Sequence, residues 1–276
     1  MPVGDERLLR LVTWNVARRT AVIAEQAMAL AEREPDVAAL QEVTRRTAPL
    51  WRRAFEVIGL SHVRTSLDES AKAGSAGSPR MGVMLASREP LHDVAQALEM
   101  PRPESALCAV TDSPVGIVEL WTVHIPNAAN GWVKPNSLRA LRDGLTATTS
   151  APRVVCGDLN TPRRELSDGR VMSFARDSRG RLRPDRGPEW DAAELGIVPG
   201  LRDLGYLDAF RSLHGYAARE PSWTWRQIAG HGGGWRLDHI FVSPELQPVG
   251  CVYHHEWRDR GLSDHSALEA ELASRS

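Results

Sequence analysis

The run RVVCGDLN at residues 153–160 is a short apolar stretch, rich in valine, that closes on two polar side chains. Bounded in this way it reads as a buried strand. Side chains alternate along a strand, so Asp158 and Asn160 fall on one side of it. Gly157 admits a close backbone neighbour. A carboxylate able to take a proton from water would then stand beside an amide able to donate to an anion. On this run alone, a structural strand closed by an Asx turn reads equally well.

The same plan recurs on either side. Residues 8–16 (LLRLVTWNV), 36–43 (DVAALQEV), 81–87 (MGVMLAS), 116–125 (GIVELWTVHI), 237–243 (LDHIFVS) and 266–272 (SALEAEL) all read as short apolar strands. Helical spacing is predicted over residues 19–34, where Pro35 stops it, and over 49–58, 137–148 and 200–212. Residues 70–79 read as a surface loop, and 163–188, rich in Arg, Gly and Pro, as a long loop insertion. With no internal repeat and no linker, residues 1–276 are expected to form one domain.

Several of these strands end on a polar group: Asn15, Glu42, His124, Asp158 with Asn160, Asp238, and Asp264 with His265. Polar side chains delivered at strand ends converge on one edge of a sheet, where α/β enzymes build their sites. Glu42 could hold a hard cation, because Mg²⁺ takes one or two carboxylates together with waters and phosphate oxygens. Adjacent strand residues point apart, so Asp238 is a better orienting partner for His265 than Asp264 is. His62, His92, His214, His231, His254 and His255 lack such settings and read as surface or structural.

Composition excludes several classes. A net charge of −1 carries no global basic excess, although arginines cluster at Arg18-Arg19, Arg45-Arg46, Arg52-Arg53 and Arg163-Arg164. No apolar run approaches the roughly 20 residues of a membrane helix. Cys108, Cys156 and Cys251 form neither a disulfide framework nor a zinc spacing, which fits a reducing cytoplasm. A cytoplasmic monomer is expected.

The ordered set TWN, LQE, a histidine strand end, GDLN, RLD and SDH resembles the endonuclease/exonuclease/phosphatase superfamily across residues 9–272. The resemblance implies a four-layer α/β sandwich, with two mixed β-sheets packed face to face and helices outside. It implies a metal-dependent phosphodiesterase using Mg²⁺, with Mn²⁺ as the alternative. Glu42, Asn15 and Asp264 would hold the metal, and Asp158 would activate water. Asn160 and His265 would stabilise the phosphoryl oxygens, Asp238 would orient His265, and His124 would contact the phosphate or leaving group.

Within the superfamily the likeness is greatest to the abasic-site (exonuclease III-like) endonucleases, carried by IPNAANGWVK (125–134), SWTWRQ (222–227) and GWRLDHIFVS (234–243). It implies DNA as partner, with Asn127 on the phosphate side and Trp225, Trp235 and Leu237 walling a pocket for an extruded sugar. Two positions depart from that branch: His124 stands in place of its usual tyrosine, and Val43-Thr44 follow Glu42. They keep a small or lipid phosphodiester open as the alternative substrate.

Overall fold

A computed structural model describes residues 7–68, 80–94, 98–147, 151–217, 222–226 and 233–275. The expected loop at 70–79 and His231 lie outside the described residues. Residues 8–16 form β1 (Leu9–Asn15), parallel to β2 (Val37–Thr44) and antiparallel to β15 (Ala267–Ser274). With β3 (His62–Thr65), β4 (Met81–Ser87) and β14 (Leu246–His254) they make a six-stranded mixed sheet, ordered β14-β15-β1-β2-β4-β3.

The second sheet contains β5 (Ala106–Thr111), β6 (Val118–His124), β7 (Arg153–Asp158), β10 (Leu207–Asp208) and β13 (Asp238–Val242). Its order is β10-β13-β7-β6-β5, with β6 and β7 parallel.

Strand alternation explains how the sheets stack. Leu9, Leu11 and Val37 of the first sheet meet Leu120, Val154 and Ile240 of the second in one buried core. The opposite faces are also apolar. Ala38 and Leu40 pack with Trp51 and Phe55 of α2 (Ala48–Val57) and with Leu30 of α1 (Ile23–Ala31). Trp121, Val155 and Phe241 pack with Leu138 and Leu141 of α3 (Val133–Leu145) and Ala193 of α4 (Gly187–Leu195). The result is a four-layer α/β sandwich. Each large aliphatic side chain buried in it contributes about 1.5–3 kcal/mol of transfer free energy.

Two segments differ from the periodicity reading. Residues 200–212 split into a 3₁₀ turn (Gly200–Leu204), β10 and α5 (Ala209–His214). Gly205 turns the chain at φ 84°, and the Asp208 carboxylate caps α5 by accepting from the Arg211 N–H. Within 163–188 lie a hairpin of β8 (Arg164–Glu165) and β9 (Val171–Met172), and a bridge between Arg176 and Leu182. Glu165, from that hairpin, is buried between Arg211 and Arg236.

Toward one end of the sandwich the inward positions turn polar: Thr13, Gln41 and Thr122 are fully buried. The Gln41 amide donates to Thr13 Oγ1 (3.0 Å) and Thr122 Oγ1 (3.1 Å), joining the two sheets. Beyond this joint lie Asn15, His124, Asp158 and Asp238. Among the described residues no helix is long and apolar enough to cross a membrane.

Candidate active site

Register decides which side chains meet. His124 lies opposite Asp158 in the parallel β6–β7 ladder, and Asp238 lies opposite Asp158 in β13–β7. All three therefore share the inner face at the same strand end. Gly157 makes this possible: at its φ of 132° a Cβ would sit 2.0 Å from the Val123 carbonyl oxygen. From the facing sheet comes Asn15. Strand parity would send Glu42 outward with Ala38 and Leu40, but the β2–β4 register slips between Leu40 and Val43. Glu42 itself adopts φ 57°, a strained conformation for a non-glycine residue, and lines the cavity.

Asp158 is buried at the centre. Its Oδ2 accepts from Asn15 Nδ2 (3.0 Å) and Asn160 Nδ2 (3.2 Å), and its Oδ1 from the Asn160 N–H (2.9 Å). Burial raises the Asp158 pKa and Asp238 adds to the rise, against the opposing pull of His265 and His124. A carboxylate whose pKa is raised is a stronger base than a free one. Asn15 holds the carboxylates together: its Nδ2 also reaches Glu42 Oε1 (3.3 Å), while its Oδ1 accepts from the Ala17 N–H (3.0 Å). Asn160 donates a further bond to the Ile125 carbonyl (2.9 Å) at a left-handed φ of 50°.

His265 Nδ1 lies 2.8 Å from Asp238 Oδ2, and its Nε2 lies 3.9 Å from Asp158 Oδ2. Burial works against the imidazolium, but Asp238 and then Asp158 outweigh it and lift the pKa to about 10. Its backbone is equally fixed. Trp14 Nε1 donates to the His265 carbonyl (3.0 Å), while Ser263 Oγ donates to the Asn15 carbonyl (2.6 Å) and accepts from the His265 N–H (3.2 Å).

His124 Nε2 stands 3.7 Å from Asp158 Oδ2 and 3.8 Å from Glu42 Oε1. The second Glu42 oxygen pairs with Arg18 Nε at 2.9 Å. Asp264 is at the rim, within reach of Trp225 Nε1 at 3.4 Å. Glu42, Asp158 and Asp264 all line one pocket, and carboxylate oxygens are the donors a hard divalent cation takes. A second grouping, Asp158, Asp238 and His265, brings its ligand atoms within 4.8 Å of one another. This buried group could hold a metal ion.

The pocket has a volume of about 560 Å³. Asn127, Trp225, Trp235 and Leu237 line it, and so do Arg18, Arg102, Lys134 and Phe174, which sequence reading did not single out for the site. Trp225 of β11 (Trp225–Arg226) and Trp235 of its antiparallel partner β12 (Gly234–Trp235) stack at 4.9 Å, and Phe174 meets Trp235 at 5.8 Å. Phe174 comes from within 163–188, where nothing in the local sequence distinguishes it. Asn127 Oδ1 caps the following turn through the Ala129 N–H (3.1 Å).

Comparison with known proteins places this geometry. The endonuclease/exonuclease/phosphatase family model matches residues 12–265. The zebrafish (Danio rerio) DNA repair nuclease APEX1 is 24% identical over 98% of the chain and 84% of its own length. An AP endonuclease from Archaeoglobus fulgidus superposes with a TM-score of 0.65 at 23% identity, covering 95% of this chain and 98% of its own. D. rerio TDP2, complexed with single-strand DNA product, superposes at 0.66 and 17% identity over 97% of this chain and 99% of its own. The family match spans every strand-end group named above, and the chain belongs to the endonuclease/exonuclease/phosphatase family, with a likeness to abasic-site endonucleases.

Proposed function

We propose that the chain is a Mg²⁺-dependent phosphodiesterase that cuts DNA by water attack, as an abasic-site endonuclease or 3′ exonuclease acting as a cytoplasmic monomer. The observation that carries this reading is the placement of Asp158 between Asn15, Asn160, His124 and His265, on the floor of a pocket walled by Trp225, Trp235 and Phe174.

Asp158 orients a water and takes its proton as the new P–O bond forms. His265, protonated and anchored by Asp238, donates through Nε2 to a phosphoryl oxygen as charge grows on it. His124 faces the same centre and can protonate the leaving oxygen as the old P–O bond breaks. Glu42, with Asp264 at the rim, would hold the divalent cation, which when bound neutralises phosphate charge and polarises the phosphorus centre. The stacked tryptophans offer a face to a base or sugar next to the scissile phosphate, and Arg18 and Arg102 supply positive charge in the same pocket.

The test is Mg²⁺-dependent cleavage of end-labelled duplex DNA with and without one abasic site. Bis(p-nitrophenyl) phosphate runs beside it, and Asp158→Asn is the control. EDTA-sensitive incision at the abasic site supports the reading. Turnover of the small ester without DNA cleavage would overturn the DNA assignment and move the substrate to small or lipid phosphodiesters.

A further inference from the structure

Lys134 and Glu194 form an ion pair of 2.9 Å with both side chains at 0% exposure. Burying two charges is unfavourable by several kcal/mol each unless pairing and hydrogen bonds offset it. Here they do. Glu194 Oε1 also accepts from Trp190 Nε1 (2.6 Å), and Oε2 accepts from Thr161 Oγ1 (2.8 Å) and the Phe174 N–H (2.9 Å). Lys134 Nζ donates onward to the Asn160 carbonyl (2.7 Å) and lies 4.4 Å from the centre of the Phe174 ring.

Two of these partners, Asn160 and Phe174, line the pocket of the candidate site. Asn160 holds Asp158 through two hydrogen bonds from a left-handed backbone conformation, which persists only where the surroundings enforce it. Phe174 supports Trp235 in the pocket wall. Lys134 comes from the first turn of α3 and Glu194 from the last turn of α4, so two outer-layer helices reach the site through one charge pair.

We propose that Lys134 and Glu194 are positioning residues that set the Asn160 turn against Asp158 and hold Phe174 in the pocket wall. The inference rests on the phosphodiesterase reading for its kinetic consequence only. A purely structural pair could be exchanged for neutral side chains of similar shape with activity intact. A positioning pair could not, because an ångström of misplacement lowers turnover by about 10²-fold.

The experiment compares Lys134→Met, Glu194→Gln and the double variant with the parent protein. Thermal midpoint, kcat and KM on bis(p-nitrophenyl) phosphate and abasic DNA, and amide exchange across residues 159–174 are measured well below the lowest midpoint. Each single variant lowers the midpoint by stranding a charge, and the double variant recovers most of that loss. The double variant is expected to keep kcat lowered by about 10²-fold on both esters and to exchange faster at Asn160, Thr161 and Phe174. Parental kcat and parental exchange in the double variant would overturn the proposal while leaving the phosphodiesterase reading intact. If the parent hydrolyses neither ester, that reading fails and exchange alone decides: faster exchange supports positioning, and unchanged exchange overturns it.

Discussion

His265, in the turn that leads into β15, sits 2.8 Å from Asp238 at the start of β13, and this contact favours the imidazolium facing Asp158. Removing either charge should strip the site of its preformed donor. His265→Ala or Asp238→Asn is expected to lower kcat by about 10²–10⁴-fold, with circular dichroism unchanged. Near-parental rates in either variant would remove His265 from the mechanism.

In the proposed function Glu42 would hold the cation. Glu42→Gln should raise the Mg²⁺ concentration needed for half-maximal rate by at least about tenfold, and EDTA should abolish turnover by the parent. Titrating Mg²⁺ at saturating substrate reads this directly. An unchanged requirement would move the cation elsewhere.

Trp235 separates the two substrate readings. Its stacking face is worth about 1–3 kcal/mol per base. Trp235→Ala should therefore raise KM for DNA by about 10–100-fold while leaving KM for bis(p-nitrophenyl) phosphate almost unmoved. Equal losses on both would argue against a strand lying on this wall.

Glu165 tests the scaffold under the pocket. Burial alone would raise its carboxyl, but Arg236 and Arg211 overcome this and hold it at about 2, against an ordinary 4.5. A depressed folded-state pKa stabilises above the unfolded value, so the contribution is complete above about pH 4.5 and lost as pH falls through about 2. Glu165→Gln strands buried guanidinium charge and should cost about 3–5 kcal/mol at neutral pH. Its urea midpoint should also fall less steeply than the parent's between about pH 5 and pH 3.

Gly157→Ala should be more damaging than any of these in the fold itself. The added methyl meets the Val123 carbonyl, and φ is left-handed as well. Loss of at least about 3 kcal/mol, or failure to accumulate as soluble protein, is expected. A thermal midpoint near the parent's would show that β6 and β7 can separate.

The strands and the candidate groups at their ends were legible because apolar runs that end in Asn15, His124 and Asp158, or begin at Asp238, combine period-two burial with a polar terminus. Other features could not be seen. The inward turn of Glu42 needs a register slip against β4, and the slip belongs to the pair of strands, not to one sequence. Lys134 and Phe174 are ordinary residues until α3, α4 and the 163–188 segment are packed together. The expected helix over 200–212 broke at Gly205, where local turn chemistry outweighed periodicity.

Asn15 and Glu42 belong to one sheet, and His124, Asp158 and Asp238 to the other. Each sheet keeps its own strands in line by backbone bonds, but the gap between sheets is set by side chains: Leu120 and Ile240 fill it, and Gln41 and Asn15 bridge it. Turnover is thus a gauge of interlayer spacing. A methyl group trimmed from the middle of the sandwich, far from any substrate, alters the distance across which the cleaving groups must cooperate. Warming that loosens the layers should silence the enzyme while its ladders are still intact.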